Sequence, residues 1–163
     1  MKIILASASP RRQELLKNIF SDFTILTSEA EEKTIFETPG KYVMDLAFLK
    51  AKEVTDKYCK EESDCLIIGA DTIVYNEAHI LGKPTDKTDA FRMIKSISGK
   101  EHEVYTGVSL IHLFENQTHI HNFFECTKVF VDSLSDEEIH AYIQTSEPYD
   151  KAGSYGVQGY FSR

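Results

Sequence analysis

Short β-rich runs alternate with amphipathic helical segments along this sequence, and that alternation constrains its fold more than any other feature. Residues 2–6 are predicted to form a short buried strand, and Ser9-Pro10 then supplies an N-cap and a first-turn proline for a helix over residues 10–20. The predicted apolar face of this helix is Leu15, Leu16, Ile19 and Phe20. A second helix is predicted over residues 39–58. Its apolar period is formed by Val43, Leu46, Ala47 and Val54.

The rest of the chain continues the alternation. Strands are predicted over residues 23–27, 65–69, 72–75, 80–81, 103–114 and 119–131, the last two as an antiparallel hairpin. A helix over residues 86–97 should bury Ala90, Met93, Ile94 and Ile97 and end before a left-handed Gly99. Ser135 and Glu138 have the spacing of a capping box, which predicts a short helix to about residue 144. This mixture predicts an α/β fold with a twisted mixed central sheet flanked by helices.

Charge and hydropathy argue against two classes of partner. A net charge of −8 argues against general binding to nucleic acid, whose phosphates require a cationic surface. Every apolar stretch is short and interrupted by charge, so no membrane span is expected. Arg11 and Arg12 fall where a signal peptide would continue its apolar segment, which favours a cytoplasmic protein. The three widely spaced cysteines predict reduced thiols, with Cys65 as a core residue.

Two arginines in a predicted first helical turn form the first candidate site. Arg11 and Arg12 lie where the helix dipole already presents partial positive charge, so an anion is needed to make their position favourable. A bound phosphate could be held by the arginines, the exposed helix N–H groups and the Ser7 hydroxyl. Two solvated arginines are the ordinary alternative, and charge placement alone leaves both interpretations open.

Asp71 lies within an apolar, β-rich run, where a lone buried carboxylate is costly. A role as a base or as an anchor for Mg²⁺ near phosphates would account for it. The alternative is an aspartate in a strand-end turn that bonds to its own backbone. The acidic loop with Glu29, Glu31 and Glu32 is expected to be solvated, although one of these carboxylates could complete a metal site with Asp71.

Two lysines and a glycine-rich segment offer further polar groups. Lys52 in the second helix and Lys83 in the loop Gly82-Lys83-Pro84 could reach phosphate oxygens, although solvent exposure is the usual state of a lysine. Residues 150–159 contain three glycines, with Lys151 and the Gln158 amide as polar groups suited to a base or ribose. The same segment could equally be a series of turns. No Walker-type P-loop pattern occurs in the sequence.

The histidines are expected to be ordinary exposed residues. His119 and His121 share one face of a predicted strand, but they lack a third metal ligand at a recognisable spacing. The same expectation covers His79, His102, His112 and His140.

Six short segments occur in a fixed order along the chain. They are Ser7-Ala8-Ser9-Pro10-Arg11-Arg12, Gly69-Ala70-Asp71-Thr72, Gly82-Lys83-Pro84, Ser98-Gly99, Tyr105-Thr106-Gly107-Val108 and the glycine-rich residues 150–159. Together they resemble the Maf family of nucleoside triphosphate pyrophosphatases, in order and spacing as well as in composition. The resemblance covers nearly the whole chain.

The resemblance implies a two-lobed α/β fold with a central cleft, related in shape to inosine triphosphate pyrophosphatases. It implies hydrolysis of dTTP and UTP between the α- and β-phosphates, giving the monophosphate and pyrophosphate. By position, Asp71 is the implied proton acceptor and, with Glu32, the implied ligand of a Mg²⁺ or Mn²⁺ cofactor. The implied phosphate-binding residues are Ser7, Arg12, Lys52 and Lys83. Base preference is implied to follow Arg11, Thr72 and Gln158, which resemble the dTTP/UTP-cleaving branch.

Members of the family usually continue past the glycine-rich loop with a further strand and helix, whereas this sequence stops at Tyr160-Phe161-Ser162-Arg163. The resemblance therefore implies a single Maf-like domain over residues 1–163 that lacks its usual C-terminal strand and helix. A homodimer is a further expectation. Two other functions stay open, namely a purine-type pyrophosphatase acting on inosine or xanthosine triphosphate and a non-catalytic regulator of septum formation.

Overall fold

The computed structural model describes residues 1–59 and 64–162, so Arg163 at the end of the predicted C-terminal loop lies outside the described residues. Within these ranges the strands and helices follow the predicted alternation. Their bounds are β1 (Lys2–Leu5), α1 (Pro10–Lys17), β2 (Thr24–Ile25), α2 (Pro39–Tyr58), β3 (Asp64–Asn76), β4 (His79–Leu81), α3 (Lys87–Ile97), β5 (Glu101–Phe114), β6 (Gln117–Phe130) and α4 (Asp136–Ile143). Short 3-10 turns occupy much of the chain after α4.

Several local predictions are confirmed. The bounds of α2 agree with the prediction, and all four residues of its predicted apolar period are buried. The predicted buried residues of α3 are buried, and Gly99 beyond its end has φ +70°. The hairpin turns at Glu115 and Asn116, both with positive φ, and Ser135 and Glu138 form the expected capping box of α4.

Helix α1 and strand β3 differ from their predictions. Helix α1 ends at Lys17, and this short helix buries only Leu16, while Leu15 is 65% exposed and Ile19 is 72% exposed. Strand β3 runs without a break through Asp71, although the sequence suggested an interruption there. The strand continues because its backbone remains in a ladder with neighbouring strands and the carboxylate finds a charged partner on α2.

The strands form one mixed sheet in the order β2-β1-β3-β5-β6, with β4 paired to β3. Strand β1 pairs in parallel with both β2 and β3, with Leu5 opposite Ile25 and Ile68. Strand β4 pairs antiparallel with β3, with Leu81 opposite Val74. Strand β6 is last in this order, and its residues are almost all exposed. A mixed sheet with helices confirms the predicted α/β class.

The chain divides into two compact units. The first unit contains Met1–Asp71 and Thr106–Glu125, and the second contains Thr72–Tyr105 and the segment from Cys126 to the C-terminus. Strands β3, β5 and β6 each pass from one unit to the other along the chain. Among the described residues, no helix combines the length and the apolar character needed to cross a bilayer.

The core of the first unit lies on both faces of its strands. Ile67 packs in a cluster with Ala51 of α2, whereas Ile68 packs in a cluster with Leu16 of α1. Since successive side chains of a strand point to opposite faces, α1 and α2 cover opposite faces of the strands in this unit. Asp71 has the same parity as Ile67 and therefore lies on the α2 face.

The core of the second unit is organised by α3. Met93 packs with Val74 of β3 and Leu81 of β4 in one buried cluster. Ile94, on the neighbouring side of the helix, packs with Ile139 of α4 in a second cluster. These two clusters support the loop after β4 and the segment after α4.

Candidate active site

Asp71 is a buried carboxylate inside a strand. It is 7% exposed, and its Oδ1 accepts a hydrogen bond from Lys50 Nζ at 2.6 Å. Burial raises the pKa of Asp71, and the positive charge and hydrogen bond of Lys50 oppose that rise. The alternative of an aspartate in a strand-end turn is wrong, because residue 71 lies within β3 and its carboxylate bonds to a side chain of α2.

Lys50 joins Asp71 to the acidic loop. Its ammonium lies 2.6 Å from Asp71 Oδ1 and 2.8 Å from Glu32 Oε1. The Lys50 side chain is only 14% exposed, so its charge depends on these two carboxylates. The other two glutamates of the loop take exposed partners, Glu29 with Lys57 and Glu31 with Lys33. One glutamate of the three therefore belongs to the site.

The lysine of α2 that contacts Asp71 is Lys50, whereas Lys52, the lysine implied to bind phosphate, lies elsewhere on the helix. Lys52 is 51% exposed and forms an ion pair with Asp56, one turn further along α2. Residues two apart on a helix are turned by about 200° from each other, so Lys50 and Lys52 face different ways. The sequence did carry a signal for Lys50, because position 50 falls on the apolar stripe between Ala47 and Val54. A lysine on a buried stripe needs a buried anion.

A glycine allows α2 to approach β3 at this point. A Cβ added to Gly69 would lie 2.2 Å from the backbone oxygen of Ala47 and 2.9 Å from the Cβ of Ala51. No other residue fits without moving the helix. Gly69 and Asp71 lie on the same face of β3, so the close approach brings the segment of α2 that holds Lys50 next to the carboxylate.

Ser7 and Arg12 supply the polar groups on the β1 to α1 connection. Ser7 is 6% exposed, and its Oγ accepts hydrogen bonds from Arg12 Nη1 at 3.3 Å and from the Ser9 N–H at 3.2 Å. Ser9 has the backbone conformation of an N-cap, but its side chain caps nothing. Burial lowers the pKa of Arg12, and the charge of Asp71 opposes that effect. Arg12 and Asp71 therefore act on each other electrostatically.

These contacts define what we call the Asp71 cluster, which consists of Ser7, Arg12, Glu32, Lys50 and Asp71. All five belong to the first unit. The cluster combines a carboxylate of raised pKa with two cationic side chains, and such a set suits general-base chemistry beside a polyanion. Arg11 is exposed at the start of α1 and makes a smaller electrostatic contribution to Arg12.

The remaining predicted site residues belong to the second unit. Lys83 is exposed, and it forms no ion pair within the part of the chain that the structure describes. Thr72 is half-buried in β3, and Gln158 is exposed in the glycine-rich loop. Lys151 donates to the Glu147 carbonyl at 2.5 Å and pairs with Asp150 at 2.8 Å, so its ammonium stabilises the loop.

The carboxylates of Asp71 and Glu32 fit a divalent cation in type and direction. Their oxygens bond to the same Lys50 ammonium, so they face one position that accepts positive charge. Among the described residues, no group of three or more His, Cys, Asp or Glu side chains is arranged to hold a metal ion. Two carboxylates with water and phosphate oxygens are the usual ligands of Mg²⁺ in nucleotide sites. The two residues therefore offer oxygen ligands of the type that such an ion prefers.

The fold of this chain is similar to that of a solved α/β protein. It resembles the solved structure of the Staphylococcus aureus Ham1 protein, with a TM-score of 0.51 over 83% of this chain and 73% of that one. The two sequences are 12% identical, so the likeness concerns the fold alone. The family model of Maf-like proteins matches residues 2–163, and the chain belongs to that family.

Two curated relatives are similar over almost the whole chain. A protein of Thermoanaerobacter sp. (strain X514) named dTTP/UTP pyrophosphatase is 49% identical over 159 residues, which cover 98% of this chain and 81% of the relative. A protein of the same name from Carboxydothermus hydrogenoformans is 48% identical over 98% of this chain and 82% of its own length.

Proposed function

We propose that this chain is a nucleoside triphosphate pyrophosphatase that hydrolyses dTTP and UTP to the monophosphate and pyrophosphate. The observation that carries the proposal is the buried Asp71 carboxylate, whose Oδ1 lies 2.6 Å from Lys50 Nζ within the residues that the family model matches. The names of the relatives at 49% and 48% identity support the choice of pyrimidine nucleotides.

In the proposed reaction Asp71 accepts the proton of a water molecule. The water oxygen forms a bond to the α-phosphorus, the bond between that phosphorus and the bridging oxygen breaks, and the bridging oxygen leaves with pyrophosphate. A carboxylate whose pKa is raised by burial is a stronger base than an exposed aspartate, which suits this step. Arg12 and Lys50 neutralise charge that accumulates on the phosphate oxygens.

Other residues have proposed roles in binding. Ser7 and Lys83 hold the triphosphate together with Arg12, and Lys50 takes the place that the sequence assigned to Lys52. Arg11, Thr72 and Gln158 set the base preference. Asp71 and Glu32 are the residues that would hold Mg²⁺ or Mn²⁺. When bound, this ion would supply further neutralisation of the triphosphate. An enzyme that cleans the nucleotide pool must have access to it, so we place the protein in the cytoplasm.

Pyrophosphate release from a panel of nucleotides tests the proposal. The panel contains dTTP, UTP, dCTP, CTP, GTP, ITP and XTP, with Mg²⁺ or Mn²⁺, and compares the wild-type chain with Asp71→Asn. We expect release from dTTP and UTP that depends on Asp71. The matched control is Asp56→Asn, which removes a carboxylate from the exposed Lys52 pair. Preference for ITP and XTP would identify the purine-type enzyme, and silence across the panel would favour the regulator of septum formation.

A further inference from the structure

A buried histidine and a buried tyrosine form a polar pair inside the second unit. His102 of β5 is 3% exposed, and Tyr155 of the glycine-rich segment is 7% exposed. His102 Nε2 lies 2.5 Å from Tyr155 Oη, and the two rings meet edge to face with their centroids 5.4 Å apart. The expectation of an exposed His102 is therefore wrong. His102 and Val104 are two apart on β5 and therefore point to the same face of the strand. Val104 packs on the buried cluster that contains Tyr155, which explains why His102 is buried.

Packing alone does not account for this histidine. Tyr155 belongs to an apolar cluster with Val74 and Met93, so the histidine brings a polar ring against apolar neighbours. The Nδ1 atom of His102 is buried without a hydrogen-bond partner among the described residues, so the bond to Tyr155 is the one that the structure gives to this ring. Burial lowers the pKa of His102 and raises the pKa of Tyr155 to about 12, so the pair is neutral near pH 7. The hydrogen bond between the two side chains fixes the orientation of the Tyr155 ring.

The segment that carries Tyr155 is also fixed on its N-terminal side. Gly153 has φ +66°, and its N–H donates to the Gly82 carbonyl at 2.9 Å. A Cβ added at Gly153 would lie 2.7 Å from Val74, so the backbone lies directly against β3. Gly82 immediately precedes Lys83 in the chain. The bond therefore links the glycine-rich segment to the loop of a proposed phosphate-binding residue.

A further anchor lies beyond Gln158. The Glu147 carboxylate accepts hydrogen bonds from the Tyr160 N–H at 2.9 Å and from the Tyr142 hydroxyl at 3.3 Å. The exposed Gln158 thus lies between an anchor at Tyr155 and an anchor at Tyr160. A short backbone span held at both ends gives an exposed side chain a restricted set of positions.

We propose that His102 is a positioning residue for base selection, because its bond to Tyr155 fixes the segment that presents Gln158 to the nucleobase. This inference rests on the proposed function, in which Gln158 helps to set the base preference. His102 touches no phosphate in this scheme. Its loss should weaken recognition of the base while the phosphate-binding residues keep their arrangement.

Tyr155→Phe is the sharpest test, because it removes only the hydroxyl and keeps the ring that packs 4.9 Å from Phe161. The matched control is Tyr149→Phe, which removes a hydroxyl that donates to the Ile143 carbonyl at 2.7 Å in the other buried cluster of the same unit. His102→Leu removes the same bond from the other side. His102→Gln keeps a side chain able to donate or accept, so it should restore part of the effect.

Two readouts separate the base from the phosphates. For Tyr155→Phe we expect the KM for dTTP and the Kd for dTMP, measured by calorimetry, to rise about tenfold, the effect of one lost buried hydrogen bond. The inhibition constant of inorganic tripolyphosphate, which has no base, should change by less than about twofold, because its recognition is electrostatic. The kcat for dTTP should stay within the same limit.

The experiments distinguish failure of the positioning role of His102 from failure of the proposed reaction. Equal changes for dTMP and tripolyphosphate, or equal changes in Tyr155→Phe and Tyr149→Phe, would show general loosening and overturn the positioning role. If the wild-type chain released no pyrophosphate from any nucleotide, the proposed reaction would fail. The positioning role would then stand only if the wild-type chain binds dTMP and Tyr155→Phe weakens that binding, and absence of dTMP binding would overturn it as well.

Discussion

Lys50 Nζ lies 2.6 Å from Asp71 Oδ1, and this contact connects helix α2 to the centre of strand β3. The pair is enclosed, since the side chains are 14% and 10% exposed. Each charge is therefore stabilised by the other more strongly than the charges of an exposed ion pair are. We therefore expect the activity of the protein to depend on Lys50, the lysine of α2 that makes this contact.

Replacement of Lys50 should cost far more activity than replacement of Lys52. We expect Lys50→Met to lower kcat for dTTP by about 100-fold or more, since the charge that we propose to neutralise the phosphate oxygens is lost. Lys52→Met removes only an exposed pair with Asp56, and its kcat should stay within about threefold of the wild-type value. Steady-state pyrophosphate release from the two variants gives the comparison. Similar losses in both would assign a phosphate-binding role to Lys52 as well.

Asp71→Asn should abolish most turnover while leaving the fold intact. The amide has the same size as the carboxylate but cannot accept a proton, and loss of a general base lowers rates by about 10²- to 10⁴-fold. Circular dichroism and the melting temperature check that the variant is folded. Turnover close to that of the wild-type protein would remove Asp71 from the reaction and leave it as a partner for Lys50 only.

Gly69→Ala should destabilise the protein through a steric clash. The new methyl group would lie 2.2 Å from the Ala47 oxygen, and overpacking of this kind costs about 1–3 kcal/mol of unfolding free energy. Gly82→Ala is the matched control, because nothing lies within 4 Å of a Cβ added there. Urea denaturation of both variants measures the difference. If Gly69→Ala had wild-type stability, α2 could not lie as close to β3 as described.

Acid should destabilise the protein partly through His102. Burial lowers the pKa of the folded-state imidazole below its ordinary value of 6.5, so below that pH the unfolded chain binds a proton that the folded chain does not. The free energy of unfolding should therefore fall as the pH drops from 6.5 towards the lowered pKa. His102→Gln should show a shallower fall than the wild-type protein between pH 7 and about pH 5. Parallel profiles for the two proteins would exclude a titrating His102.

Glu53 should titrate at an unusually low pH. Hydrogen bonds from Lys57, then from Ser28 and the Glu29 N–H, lower the pKa of this carboxyl to about 2. Its contribution to stability is present above the ordinary pKa of 4.5 and disappears as the pH falls towards 2. Side-chain NMR can follow the midpoint. Lys57→Met and Ser28→Ala should each raise it, and a midpoint near 4.5 in the wild-type protein would show that Glu53 does not hold the start of the acidic loop.

The sequence predicts elements whose signals are local and misses contacts that depend on the assembled core. The capping box at Ser135 and the apolar period of α2 are confirmed because both involve residues within one helix. Lys50 and His102 were missed for a common reason. Each is a charged or polar side chain on a buried stripe, and the sequence does not reveal the partner that each finds in a distant part of the chain.

The amino-acid composition also gives no sign of the boundaries between the two units. The boundaries fall between Asp71 and Thr72, between Tyr105 and Thr106, and between Glu125 and Cys126, all within strands. Linkers rich in glycine, proline or polar residues are the usual sign of a boundary, and a continuous strand has none. The prediction of one domain over residues 1–163 comes from the family resemblance, and composition offers no boundary to set against it.

The position of strand β6 in the sheet affects how readily the protein aggregates. It is the last strand in the sheet order, and it carries the exposed aromatic side chains Phe123, Phe124 and Phe130. Within the described strands β6 pairs on one side only, and such an edge can pair with a strand of another molecule, which is a common first step of aggregation. Glu125 and Lys128 are the charges that interrupt this aromatic stretch. We therefore expect these two charges to oppose the pairing of β6 with a second molecule at high concentration.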